Sequence, residues 1–235
     1  TVVGDRTRLM IVNTPHNPTG TVLAAQELEA IAAAAQRVDA IVITDEVYEH
    51  LLYGGLTHTP MATLPGMAER TISISSAGKT FSLTGWKIGW ATGPAPLIEA
   101  LLAVKQFLTY SGGAPFQPAI ARALEEGDTD IEALRRSLDH RRDLLLDGLR
   151  AAGLAPVEPG GTYFVCADVS SLLTPEMPDG AAFARALPEL AGVACVPVSA
   201  FCQQGSVAAV AFASWVRFTF VKREDTIRTA VERLT

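Results

Sequence analysis

In Ser75-Ser76-Ala77-Gly78-Lys79-Thr80 a single amine follows directly on Thr71–Ser75, where β-branched and small residues alternate. That alternation predicts a strand, and small polar residues at its end let the backbone turn sharply. Lys79 is thereby set at the mouth of a sheet, with Lys87–Gly93 expected as the next strand. An ammonium held there is costly to desolvate unless it is paired or neutral. A partly desolvated amine gives up its proton more easily and can attack a carbonyl to form a Schiff base. Taken alone, the stretch is equally compatible with an ordinary surface lysine. Two more polar clusters weigh against that: Asn17 in the loop Thr14–Gly20, and Asp45 with Tyr48. With Ser76 and Lys79 they fall at the ends of three successive expected parallel strands, where open α/β sheets bind ligands.

Each of these residues also has a plain structural reading. Asp45 closes an apolar strand, so its carboxylate must cap the next turn or face a cation. Tyr48 is equally a core aromatic, and Asn17 between two prolines is equally a turn residue. His16, His50, His58 and His140 have no metal-ligand spacing and are expected to be structural or exposed. No Ser-His-acid arrangement is suggested.

The elements that must position these groups follow from periodicity. Arg8–Asn13 reads as a buried strand, Ala25–Arg37 as a helix with Leu28, Ile31 and Ala35 on one face, and Ala40–Asp45 as a strand. Strand, loop, helix, strand is a right-handed crossover unit. Helices are expected over Ala95–Tyr110, Pro118–Glu125 and Asp130–Ala152, the last ending at Gly153. After Gly153 the composition changes. Strands at Thr162–Ala167, Val193–Pro197 and Val216–Val221 and helices at Ala181–Leu190 and Glu224–Leu234 describe a small α+β unit. The expected fold is therefore α/β: residues 1–153 form a large, mainly parallel sheet domain with flanking helices, and residues 154–235 a smaller C-terminal domain.

Composition narrows the function classes. Of 235 residues, 49% are hydrophobic and 19% charged, which predicts a sizeable core. A net charge of −6 offers no basic surface for nucleic acid. Arg135, Arg136, Arg141, Arg142 and Arg150 gather on one expected helix, but interleaved acids make that face a solvated one. No apolar run reaches membrane-spanning length. Cys166, Cys195 and Cys202 are odd in number and lack a CxxC spacing, which suggests reduced thiols and a cytoplasmic protein.

Asn17-Pro18-Thr19-Gly20, Asp45-Glu46-Val47-Tyr48, Ser76-Ala77-Gly78-Lys79 and Val216-Arg217-Phe218, in this order, resemble the fold type I, class I/II aminotransferases. Lys79–Trp90 is similar to the kynurenine/glutamine transaminase branch. Gly112–Pro118, Gly161–Phe164 and Val216–Phe220 look like actinobacterial N-succinyldiaminopimelate aminotransferases. The resemblance implies pyridoxal 5′-phosphate as cofactor, bound covalently through Lys79. Asp45 would pair with the pyridine nitrogen, Tyr48 and Asn17 with the 3-oxygen, and Ser76 and Lys87 with the phosphate. Arg217, together with Asn17, would bind the substrate carboxylate. Many relatives carry arginine where Lys87 stands, and lysine supplies charge without the bidentate fork.

The implied reaction transfers an amino group between an amino acid and a 2-oxo acid. N-succinyl-LL-2,6-diaminopimelate with 2-oxoglutarate is the expected pair. Kynurenine or glutamine transamination, a carbon–sulfur lyase and a non-catalytic sensor of the same fold are the alternatives. A homodimer is implied too. Family members carry a long region ahead of the segment equivalent to Arg8, including a phosphate loop and a stacking aromatic ring. The chain is expected to begin part-way through such a protein and, without that region, to bind the cofactor weakly or not at all.

Overall fold

A computed structural model describes residues 3–235; Thr1 lies outside the described residues. Backbone contacts divide the chain into two compact units. One comprises the described part of Thr1–Pro15 with Val22–Leu134, and the other comprises His16–Thr21 with Arg135–Thr235. The division falls ahead of the Gly153 boundary expected from the sequence. The buried stripe Leu138, Leu145, Leu146 and Leu149 belongs to the C-terminal unit, and so does the Asn17 loop.

The first unit holds a four-stranded sheet in the order β1 (Leu9–Asn13), β2 (Ile41–Asp45), β3 (Thr71–Ser76), β4 (Gly89–Thr92). β1, β2 and β3 run parallel, with Asn13 opposite Asp45 and Asp45 opposite Ile74. β4 returns antiparallel and sets Gly89 opposite Ser76. Helix α1 (Ala25–Arg37) makes the crossover from β1 to β2. At its start the Glu27 carboxylate accepts from the Ala24 N–H at 2.8 Å, satisfying one of the unpaired first-turn donors. Its face of Leu28, Ala32 and Ala35 packs with Val12, Val42, Met61 and Met67. Burying Leu28 alone stabilises the unit by about 1.5–3 kcal/mol.

β1 corrects one expectation. It is an edge strand, and Ile11 is 75% exposed, so the apolar run Leu9–Val12 is buried only at Val12. A continuous apolar strand is the pattern of a parallel strand covered on both faces. Here, among the described residues, only the face of β1 that carries Val12 is covered, and Leu9 and Ile11 share the open face. The short helix α2 (Ala77–Thr80) follows β3. Helices α3 (Ala95–Leu108) and α4 (Gln117–Glu126) come after β4, and α3 contributes no buried residue.

The long helix α5 (Asp128–Ala151) leads into the second unit, and Gly153 (φ +80°) turns the chain at its end. The second sheet is antiparallel throughout, ordered β5 (Ala155–Val157), β6 (Phe164–Asp168), β8 (Trp215–Thr219), β7 (Val196–Pro197). Helices α6 (Gly180–Ala191), α7 (Val207–Ala211) and α8 (Glu224–Leu234) complete it. Asp179 caps α6 by accepting from the Ala182 N–H at 2.7 Å. Arg142 corrects a second expectation. It is 7% exposed rather than solvated, and its guanidinium is neutralised by Asp139 at 3.0 Å and Asp143 at 2.6 Å. No helix among the described residues is long and apolar enough to cross a membrane.

Candidate functional site

In the first unit, Asp45 ends β2 and its Oδ1 accepts from the Val47 N–H at 3.3 Å, capping the turn that carries Tyr48. The Asp45 carbonyl in turn accepts from the Asn13 side-chain amide at 2.9 Å, fixing the strand end. Tyr48 is buried, and the Lys79 ammonium lies 6.0 Å from the centre of its ring. Lys79 sits on α2, whose start is capped by Ser76 Oγ accepting from the Gly78 N–H at 3.1 Å. Thr84 Oγ1 donates to the Gly78 carbonyl at 3.0 Å, closing the loop behind the helix. Lys79 is half-buried, and among the described residues its amine has neither a hydrogen bond nor an ion-pair partner. A lysine nitrogen left so is open to condense with a carbonyl.

Lys87 is exposed and adopts φ +56°, at the end of the helical turn Thr84–Trp86. Ser82 in the same segment also has a positive φ, of 57°. A left-handed backbone at a non-glycine residue is uncommon and persists where surrounding packing holds it. Here Ile88, Ala77 and Ile120 form that packing, with Trp86 stacked on Phe116 at 4.5 Å between centroids.

The second unit holds Asn17 and Arg217. Arg217 lies mid-β8, opposite Cys166 on β6 and Val196 on β7. Its Nη1 donates to Asn17 Oδ1 at 2.6 Å. Its guanidinium carbon stands 3.9 Å from the Phe164 ring centre and 4.5 Å from that of Phe201. Two aromatic faces therefore fix the plane of the fork. The Asn17 loop is tied down independently: Cys166 Sγ donates to the Pro18 carbonyl at 3.3 Å and the Gly161 N–H to that of Gly20 at 3.0 Å. Burial pushes the Cys166 thiol up to about 11, with the nearby Arg217 charge opposing, so it stays a neutral thiol at ordinary pH. The Thr14–Pro15 and Asn17–Pro18 bonds are both cis.

Gly20 yields a first prediction. It holds φ +73°, and an added Cβ would sit 2.3 Å from Cβ of Pro159. Gly20→Ala is expected to cost about 2 kcal/mol or more and to lower the melting temperature by roughly 4–8 °C in a thermal melt.

Thus the structure brings Asp45, Tyr48, Ser76, Lys79 and Lys87 into one unit, and Asn17 and Arg217 into the other. A cleft of 490 Å³ in the C-terminal unit, lined in part by Phe218, Lys222, Asp225 and Arg233, contains none of them. Sequence reading missed the aromatic pair around Arg217. The signal was present for Phe164, which shares a strand face with Cys166 at period two. It also missed the convergence of Glu46, Glu49 and His58, whose ligand atoms lie within 4.8 Å of one another.

The residues fit the implied cofactor by donor chemistry. A lysine nitrogen without a hydrogen-bond partner suits an aldehyde, a strand-end carboxylate suits a protonated ring nitrogen, and a hydroxyl with an exposed lysine suits a phosphate.

The family model described as aminotransferase class I and II matches residues 2–234. A Mycobacterium tuberculosis protein named "Probable N-succinyldiaminopimelate aminotransferase DapC" is 54% identical over 236 residues, covering 99% of this chain and 59% of that protein. Kynurenine–oxoglutarate transaminase 3 of Mus musculus is 42% identical, covering 97% of this chain and 52% of its own length. Among solved structures, the N-succinyldiaminopimelate aminotransferase of Mycobacterium tuberculosis matches with a TM-score of 0.91 at 53% identity, covering 99% of this chain and 59% of that one. The chain thus spans 59% of the length of the M. tuberculosis relative.

Proposed function

We propose that this chain, which belongs to the class I and II aminotransferase family, works in moving an amino group from an amino acid to a 2-oxo acid with pyridoxal 5′-phosphate. The observation that carries the reading is the Lys79 amine: half-buried, unpartnered among the described residues, and beside Tyr48. When bound, the cofactor supplies an aldehyde that captures amino groups and a ring that withdraws electrons from the carbon next to them. Lys79 would hold it through Nζ, and the same nitrogen would serve as the base for the proton on the substrate Cα. Asp45 would pair with the ring nitrogen and keep a positive charge there. Tyr48 and Asn17 would hydrogen-bond the 3-oxygen, while Ser76 and Lys87 would bind the phosphate. Arg217 would bind the α-carboxylate through its guanidinium, and the bond from its Nη1 to Asn17 Oδ1 would orient it.

N-succinyl-LL-2,6-diaminopimelate is the proposed donor and 2-oxoglutarate the acceptor. The 54% identity to the protein named for that substrate, against 42% for a kynurenine transaminase, supports this order. The test is a donor screen of the full-length protein with 2-oxoglutarate, reading glutamate formed. Faster turnover of kynurenine or glutamine would transfer the assignment to that branch. Transfer from no donor at all would favour a sensor, and ammonia and pyruvate from a sulfur amino acid would favour a lyase. A cytoplasmic setting and a homodimer belong to the same proposal. The three unpaired cysteines support the first. The exposed Leu102, Phe107, Leu108 and Tyr110 support the second, because large apolar side chains left uncovered along one segment are what association would cover. Light scattering of the full-length protein tests the dimer.

A further inference from the structure

Beside the turn that follows β2, two carboxylates and an imidazole converge without belonging to the proposed cofactor contacts. Glu46 is 3% exposed; its Oε1 accepts from Thr44 Oγ1 and from the Met61 N–H, each at 3.0 Å. Its Oε2 stands 3.4 Å from Nε2 of His58. The His58 side chain is 7% exposed, and its Nε2 has no hydrogen-bond partner among the described residues. Glu49 is the third member: a donor atom of each residue lies within 4.8 Å of the other two. One Glu49 oxygen accepts from Ser75 Oγ at 2.6 Å, and its side chain keeps 22% exposure, which gives the cluster a path to solvent.

Charge decides what such a cluster needs. With both carboxylates ionised, a proton on His58 leaves one negative charge to the partly exposed His50, whose Nε2 stands 3.7 Å from Glu49 Oε1 on the solvent side. A divalent cation on a neutral imidazole balances the trio completely. Distance agrees. Zinc takes nitrogen and oxygen ligands at about 2.0–2.2 Å, so tetrahedral ligand atoms stand about 3.4 Å apart. Oε2 of Glu46 and Nε2 of His58 are already at 3.4 Å. An imidazole with two carboxylates suits zinc and its first-row neighbours. It does not suit magnesium or calcium, which take oxygen cages, nor thiol-seeking ions.

We propose that Glu46, Glu49 and His58 form a binding site for a divalent transition-metal ion of the zinc type, with an open fourth position toward solvent. Glu46 and Glu49 each directly follow a residue of the proposed cofactor site, Asp45 and Tyr48, so the ion would brace the turn that carries both.

Zinc titration of metal-stripped, tag-free full-length protein against a chromophoric chelator tests the site, with cobalt as the spectroscopic probe. One zinc per chain is expected, along with visible cobalt bands of a four-coordinate centre. His58→Gln and Glu49→Gln should each weaken binding about tenfold or more. Glu49→Gln guards against misfolding, since a glutamine oxygen still accepts from Ser75. Less than one ion per chain, or affinity unchanged in either variant, would overturn the site.

Discussion

Lys79→Ala, made in the full-length protein, is expected to lower amino transfer by about 10⁴-fold or more, a barrier increase above roughly 5 kcal/mol. On the proposed reading two functions would be lost together: the nitrogen that would hold the cofactor and the nitrogen that would move the substrate proton. No neighbour replaces them, because the other basic group of the segment, Lys87, is exposed at the end of the following turn. The fold should survive. Lys79 lies in a four-residue helix whose cap comes from Ser76 and whose buried members are Ala77, Gly78 and Thr80. Alanine is a good helix residue, so the stability change should stay within about 1 kcal/mol. Lys79→Arg keeps the charge but cannot condense with an aldehyde, and is expected to be as inactive as alanine. Borohydride reduction of the wild-type protein saturated with pyridoxal 5′-phosphate should mark position 79 in a peptide digest. A label at any other lysine would sink the reading.

Local patterns made some elements legible and long-range packing hid others. The helix Glu224–Leu234 and the crossover helix Ala25–Arg37 could be read because an amphipathic stripe and end signals coincide within one segment. The three chemically distinct strand ends could be read for the same reason: each polar group interrupts an apolar run. The exposure of Ile11 could not, since burial of a strand depends on what lies beside it in space. β5 escaped because Ala155–Val157 is three residues with a proline, paired only through β6. The prolines and glycine of Thr14–Gly20 announce a loop but not its company. Its grouping with the C-terminal unit rests on contacts to Gly161 and Cys166, more than a hundred residues away. His58 looked like one of four unrelated histidines because its partners precede it at irregular spacing. Only the turn after β2 and the helical turn Met61–Thr63 bring it to Glu46.

Arg217→Ala is the second large expected effect, and the surroundings of the side chain say why. Arg217 is fixed from three directions: Asn17 takes one N–H at 2.6 Å, and Phe164 and Phe201 cover it at 3.9 and 4.5 Å. A guanidinium so pre-positioned loses little freedom when a carboxylate arrives, and its planar fork is the geometry that pairs with two carboxylate oxygens. Truncating one partner of such a charge pair costs about 2–5 kcal/mol, which is roughly 30- to several-thousandfold in kcat/KM. Arg217→Lys keeps the charge without the fork and should fall between wild type and alanine. The loss should appear with the amino acid and the 2-oxo acid alike, since both carry the α-carboxylate. A primary amine lacking that group should react almost equally with wild type and variant, which separates a binding defect from damage to the fold. If kcat/KM for amino acids stays within threefold in Arg217→Ala, Arg217 is instead a structural cation held by its aromatic neighbours. Asn17→Ala would then lower stability without changing discrimination between carboxylate and amine substrates.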